Sequence, residues 1–422
     1  MLVSVPDTTL RMMIGKLMTL VKKMKSNDSY HISLWNKCLI SSYIILYFLN
    51  NVTRYKNCVV ILMYITAIYY LIKNKIKIFD IVKNNLTISL GLFSVSIVYS
   101  ISISIDPSYS LKKFFDVIFS KILVISFIIP IILYSEKKEE IAKLFIYSLI
   151  ISIIPIAITD FWQYIKEYNV GIMPFTDYEH KYKSDALIFI APTLLFLWKK
   201  NTIKIKIIVF LLSLIVGFMI LGTMQRGTWL SIIVPTFIWC ILKKEWKLPT
   251  IAIIVLSLFL SIAYVKNHEQ FNTLFYKLQQ TSSSHRYAGG TQGSAMDLIL
   301  ENPIKGYGFG DNVFHKVYND RIKDYPQWVF RESIGPHNIT LSIWFSAGLL
   351  GLVAFWYMLI ILIRNCICGF KNDSSPIVKE CWLLILLILI GDYIIRGAFE
   401  TVYLGNIAML MGFSIILKIK DE

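Results

Sequence analysis

From near residue 34 to residue 417 the chain alternates long apolar runs with short polar breaks. Most runs approach the ~20 residues that a helix needs to cross a ~30 Å hydrocarbon core. In lipid a spanning segment must satisfy its own backbone hydrogen bonds, so each run is read as a helix. The pattern predicts twelve spans, at 35–52, 58–73, 86–105, 117–134, 141–165, 186–198, 207–224, 229–242, 248–265, 338–363, 381–396 and 403–417. One polar stretch, 266–336, interrupts the rhythm between the ninth and tenth. The expected fold is therefore an all-α integral membrane protein with about twelve transmembrane helices and one long loop. Its expected organisation is a basic N-terminus at 1–33, spans one to nine within 34–265, the loop at 266–336, spans ten to twelve within 337–417 and a tail at 418–422.

The loop has local signals of its own. Ala295 to Glu301 reads as a short helix with Met296, Ile299 and Leu300 on one side, stopped by Pro303. Gly306-Tyr307-Gly308-Phe309-Gly310 reads as a tight turn carrying aromatics. Tyr325, Trp328 and Phe330 follow at near-helical spacing. These predict short helices on the membrane surface rather than a separate soluble domain.

Composition agrees with the pattern: 56% of residues are hydrophobic and the mean hydropathy is +0.60. The net charge of +16 points to topology rather than nucleic acid, because the basic residues lie in short segments between spans. With the N-terminus inside, the inner segments carry 24 Lys and Arg and outnumber the short outer ones. That orientation puts both ends in the cytoplasm and the loop outside, which in a two-membrane bacterium is the periplasm. The first 33 residues lack a cleavable secretory pattern, so the first span is expected to be retained. None of the six cysteines lies in the loop, so no disulfide holds it.

The candidate chemistry collects around the loop. Pro336 is suited to the first turn of a helix, which predicts His337 at the outer N-terminus of span ten. The positive end of the helix dipole disfavours imidazolium, and a neutral imidazole can act as a general base. By position alone His337 reads first as a polar residue satisfying its hydrogen bonds at a membrane edge. Arg226, at a span mouth, reads either as a snorkelling cation or as a bidentate holder of phosphate. Arg286, in His285-Arg286-Tyr287, is by default a solvated surface arginine. Asp392 lies inside the eleventh apolar run with Arg396 four residues on, a functional pair or a self-neutralising one. There is no phosphate-binding Gly-Lys loop for ATP, no acidic or histidine cluster for a metal, and no nucleophile elbow. No cofactor is expected. A base, arginines and aromatics at an outer membrane face suit a lipid-linked anionic donor, with Tyr287, Tyr307, Phe309 and Trp328 as candidate sugar-stacking rings.

Arg226 after a span, His285-Arg286-Tyr287 in the loop, the run Glu301 to Gly310, and Pro336-His337-Asn338 leading into a span together resemble the O-antigen ligase (WaaL/RfaL) family of Gram-negative bacteria. The resemblance covers nearly the whole chain. It implies transfer of O-antigen polysaccharide from undecaprenyl diphosphate to a sugar hydroxyl of lipid A–core, at the periplasmic face of the inner membrane. In that reading the reaction is an inverting, metal-independent glycosyl transfer in lipopolysaccharide biosynthesis. His337 would be the base, Arg226 and Arg286 would hold the diphosphate, and Asp392 and Arg396 would support the site. The alternatives are an O-antigen polymerase using the same donor and a polytopic transporter or flippase. A transporter is expected to carry paired repeats and midplane polar residues, whereas here the polar weight lies in one outer loop.

Overall fold

The computed structural model describes residues 28–73, 78–175, 179–199, 202–247 and 286–420, with isolated positions between 250 and 276. The expected ninth span at 248–265, the loop up to His285 and the N-terminal 27 residues fall mostly or wholly outside this set. Every regular element among the described residues is helical. The N-terminal helices are α1 (Asp28–Tyr47), α2 (Thr53–Lys73), α3 (Asn85–Ser102), α4 (Pro107–Leu133), α5 (Lys138–Asn169), α6 (Ser184–Trp198), α7 (Ile203–Gly222) and α8 (Arg226–Lys243). Two short loop helices follow, α9 (Thr291–Glu301) and α10 (Asp311–Arg321), and then α11 (Ile339–Asn372), α12 (Pro376–Ala398) and α13 (Leu404–Ile419). Seven of these, α2, α3, α4, α5, α7, α11 and α12, are long and apolar enough to cross a membrane, and α13 is a shorter apolar helix.

The last two helices occupy the centre. Residues Ile407 to Leu417 of α13 are all buried, and α12 is buried along most of its length. α12 contacts α5, α6, α8, α11 and α13, while α13 lies along α4 and α11 along α3. The peripheral helices α2 and α7 instead turn most of their apolar surface outward, as a lipid-facing helix must. Helix association in a bilayer relies on close packing rather than on escape from water. α8 and α12 show the device: a Cβ on Gly391 would stand 2.5 Å from the Ser231 carbonyl oxygen. This contact holds the second turn of α8 beside the C-terminal part of α12.

α11 is one helix in name and two in geometry. At Ala347 and Gly348 the backbone leaves helical values, with Gly348 at φ +60. The break exposes carbonyls that the 304–308 segment occupies. Tyr307 N–H donates to Phe345 O and Gly308 N–H to Ser346 O, both at 2.9 Å, and Leu349 N–H donates to Ile304 O at 3.2 Å. The glycine-rich turn is thus the plug of a broken helix. A side chain at Gly348 would put its Cβ 2.0 Å from the Ile304 oxygen. α9 and α10 form a small core with α11 from Ala295, Leu298, Ile299, Val313, Phe314, Val317 and Trp328 against Leu341 and Phe345.

Two local readings are corrected. The buried face of α9 uses Leu298 rather than Leu300, which is exposed, because the helix starts at Thr291 and its inward stripe is set by α11. Pro336 does not open α11. Asn338 is its N-cap, and its side-chain oxygen accepts from Leu341 N–H at 3.0 Å, so His337 precedes the helix.

Candidate functional site

Four chain segments meet at one end of the helical bundle. The first is the α7–α8 turn. Met224 takes φ +49, and Gln225 is an extended N-cap whose side-chain oxygen accepts from Ser184 Oγ–H at 2.7 Å. Arg226 is the first residue of α8. Gly227, next in line, lies against Glu400: a Cβ there would stand 2.5 Å from Oε1. A carboxylate at a helix N-terminus is favoured by the helix dipole and the unpaired N–H groups there.

The second segment is the turn before α9. The Arg286 carbonyl accepts from the N–H groups of Gln292 at 2.7 Å and Gly293 at 2.9 Å. Arg286 is half-buried, and its guanidinium carbon lies 5.6 Å from the centre of the Phe399 ring. Burial depresses its pKa and neighbouring Arg226 adds to that, while Glu400 opposes it. The guanidinium nevertheless stays charged.

His337 forms the third. It sits at φ +46, between Gly335 at φ +88 and the Asn338 cap. Left-handed backbone in a residue with a β-carbon costs about 1–2 kcal/mol and needs support from its surroundings. Burial lowers the imidazole pKa, Arg286 lowers it further, and Glu400 pulls the other way. The ring is therefore neutral at neutral pH, as the sequence reading expected, but by desolvation and a neighbouring cation rather than by a helix end.

The fourth is the end of α12 with the turn after it. Arg396 pairs with Asp392 at 3.2 Å, with Glu400 at 3.0 Å and with Asp185 in the first turn of α6. Asn406 Nδ2 donates to the other Asp392 oxygen at 3.3 Å. Arg396 is thus committed to three carboxylates and acts as the pin of this corner. Arg286 lies in the field of Glu400, Arg226 and His337, and Arg226 precedes the glycine that packs on Glu400; these two arginines carry the positive charge of the site.

Sequence reasoning named Arg226, Arg286, His337, Asp392 and Arg396, and the structure brings all five to this end. It missed Asp185, Glu400 and Gln292. Glu400 had a local signal, an acid four residues after an arginine. Asp185 had none, since it meets Arg396 across 211 positions. The aromatics divide differently. Tyr287 is exposed. Phe309 is buried, and Tyr307 stacks on Phe345 at 4.7 Å with its hydroxyl donating to Leu298 O at 3.0 Å. Trp328 is a correction. Its ring stacks on Tyr318 at 4.5 Å and on Tyr325 at 4.4 Å, and its N–H donates to Asp297 at 2.8 Å. It is core to the loop rather than a platform for sugar.

A second polar cluster adjoins this corner through Ser184. His180 lies buried between Asp160 and Glu167, 2.7 Å from Nδ1 to Oδ1 and 2.9 Å from Nε2 to Oε2, and stacks on Tyr164 at 3.7 Å. Burial works against its charge, but the hydrogen bonds to Asp160 and Glu167 outweigh it and the pKa is raised. Both ring nitrogens facing carboxylates makes this an imidazolium.

A family model described as O-antigen ligase matches residues 208–356, from α7 to the middle of α11. An O-antigen ligase of Salmonella typhimurium (strain LT2) is 42% identical over 391 residues, spanning 91% of this chain and 96% of the relative.

Proposed function

The chain belongs to the O-antigen ligase family, and from that premise we propose that His337, Arg226 and Arg286 carry out its glycosyl transfer at the periplasmic face of the inner membrane. The donor is O-antigen on undecaprenyl diphosphate and the acceptor is lipid A–core. The carrying observation is a neutral, half-buried imidazole held beside Arg286 and Glu400, on the same corner as Arg226.

In the proposed step His337 takes the proton of an acceptor sugar hydroxyl. That oxygen forms a bond to the anomeric carbon of the donor sugar from the face opposite the diphosphate. The bond from that carbon to the diphosphate oxygen breaks, and its electron pair leaves with undecaprenyl diphosphate. Arg226 and Arg286 stabilise the charge gathering on the leaving group, a contact that strengthens toward the transition state. Asp392 holds Arg396, and Arg396 holds Asp185 and Glu400, so that pair supports the site without touching substrate. Tyr287, exposed next to Arg286, is the one named aromatic with a ring open to a sugar. The twelve-span topology with both ends in the cytoplasm belongs to this proposal. The polymerase and transporter alternatives lose ground to a relative that matches nearly end to end and is a ligase.

The test is His337→Ala expressed in a strain lacking the gene, read on a lipopolysaccharide gel with the protein's level checked in membranes. Core-only lipid A with polymer accumulating on undecaprenyl diphosphate is expected. A wild-type ladder from that variant would overturn the base assignment.

A further inference from the structure

Gln292 sits in the first turn of α9 and touches three of the four segments that build the site. Its side-chain Nε2 donates to the His337 carbonyl at 3.3 Å and to the Ala398 carbonyl at 2.9 Å. Those two bonds use both N–H groups of the amide. Its own backbone N–H donates to the Arg286 carbonyl at 2.7 Å. The Ala398 carbonyl also accepts from Asn338 Nδ2 at 3.2 Å, so Gln292 and Asn338 share one anchor between Arg396 and Glu400. Gln292 is itself buried.

His337 needs such anchoring. A left-handed backbone at a residue with a β-carbon relaxes unless its neighbours over-determine it. Fixing the carbonyl of His337 fixes the peptide plane that follows it, and with it the turn from which the imidazole projects. We propose that Gln292 is a positioning residue for the transfer: its amide ties the left-handed His337 turn to the 396–400 turn and registers both against Arg286. The inference rests on the reading of His337 as the base. No other common side chain matches it. Glutamate has the length but no N–H, and would aim a carboxylate at two carbonyl oxygens. Methionine fills the space and donates nothing. Asparagine keeps both donors but is one methylene short.

The experiment compares Gln292→Met, Gln292→Glu and Gln292→Asn with wild type and His337→Ala. Full-length protein is purified from membranes and assayed with lipid-linked O-antigen and lipid A–core. Thermal midpoint and yield report folding. A displacement of about 1 Å at a reacting group lowers turnover by about 100-fold. Gln292→Met and Gln292→Glu should therefore lose about 10- to 100-fold in kcat per folded molecule, with KM for the donor shifting far less, and Gln292→Asn should fall between them and wild type. The pH profile separates positioning from mere stability. A loosened turn lets the imidazole move away from Arg286, Glu400 and the arginines behind them, and toward water. The acid limb of kcat should then move up toward the ordinary histidine value of ~6.5. If Gln292→Glu fails to accumulate, Gln292→Met gives the reading, and Gln292→Asn remains as the mildest change. Wild-type kcat per folded molecule in Gln292→Met overturns the proposal, as does a loss of kcat with an unmoved acid limb. If His337→Ala retains transfer, the base reading itself fails. If His337→Ala is inactive while Gln292→Met keeps wild-type kcat per folded molecule, only the clamp fails.

Discussion

His337 is held in a backbone conformation that its own β-carbon opposes, and its imidazole is kept from protonating by burial and by Arg286. The direction of each influence makes the pH dependence predictable. Because the pKa lies below its ordinary value of about 6.5, the basic form persists below that pH and the acid limb of activity should fall there. Glu400 raises the pKa, so Glu400→Gln should move the limb lower still. Arg286→Gln removes a repelling cation and should move it higher, whatever it does to the rate. Arg226→Ala and Arg286→Ala should each slow transfer by about 100-fold, in line with losing one preorganised donor to a developing anion. Lysine at either position should recover part of this, as a point charge without the two-pronged fork. Single-turnover rates with saturating acceptor measure all four. At this scale the candidate residue types were legible because a membrane chain has few reasons to keep a histidine and arginines at span ends. Gln292 and Asp185 were not, since their partners lie more than 40 and more than 200 positions away, whereas Glu400 had a signal in its spacing to Arg396 that was passed over. Trp328 was misread because stacking on sugar and stacking on tyrosine leave the same aromatic spacing.

Two elements carry consequences of their own. The first is the break in α11 and its glycine-rich plug. Gly348→Ala would set a methyl 2.0 Å from the Ile304 oxygen in a left-handed backbone. It should destabilise the protein by about 1–3 kcal/mol and lower the thermal midpoint in detergent, with activity falling as α9 shifts. A midpoint within error of wild type would contradict the plug. The run Glu301 to Gly310 showed its turn in the sequence, but not what the turn was for, because the break in α11 lies in an apolar run that reads as continuous helix. The second is the connection between α5 and α6, pinned by His180. Its folded pKa is raised, so the stabilisation is fully present below about pH 6.5. It is lost as pH rises through the folded value. Hydrogen exchange across 180–184 should accelerate from pH 6 to pH 9 beyond the intrinsic increase, and His180→Gln should abolish that excess.

For the whole molecule, helices lie at eleven of the twelve expected positions among the described residues, and their edges shift by up to about ten residues, as at the start of α4 and the end of α11, where polar ends extend a helix beyond its apolar run. Hydropathy was informative because lipid leaves the backbone no other choice. The central place of α12 and α13 was not readable, since a helix apolar all round looks alike whether it faces lipid or other helices. The proposed topology has a direct check. With Cys38, Cys58 and Cys368 changed to serine, a membrane-impermeant thiol reagent should label Lys323→Cys in cells with an opened outer membrane. Lys371→Cys should label only after the inner membrane is breached. The reverse pattern would invert the topology.

The divided α11 also bears on how the enzyme lives in a bilayer of changing thickness. Residues 339–346 are fastened to the loop helices through Leu341 and Phe345 and to the apolar bundle through Ile339 and Ile343, whereas 349–372 pack in the bundle alone. A long straight helix transmits any tilt along its full length, and tilt is how spans adapt to mismatch with the surrounding lipid. Here the joint at 347–348 interrupts that lever. The segment after His337 should therefore follow a change of tilt in 349–372 less than a continuous helix would. Transfer rates in vesicles of shorter and longer acyl chains should accordingly vary little, while the inner two-thirds of α11 takes up the change in slope.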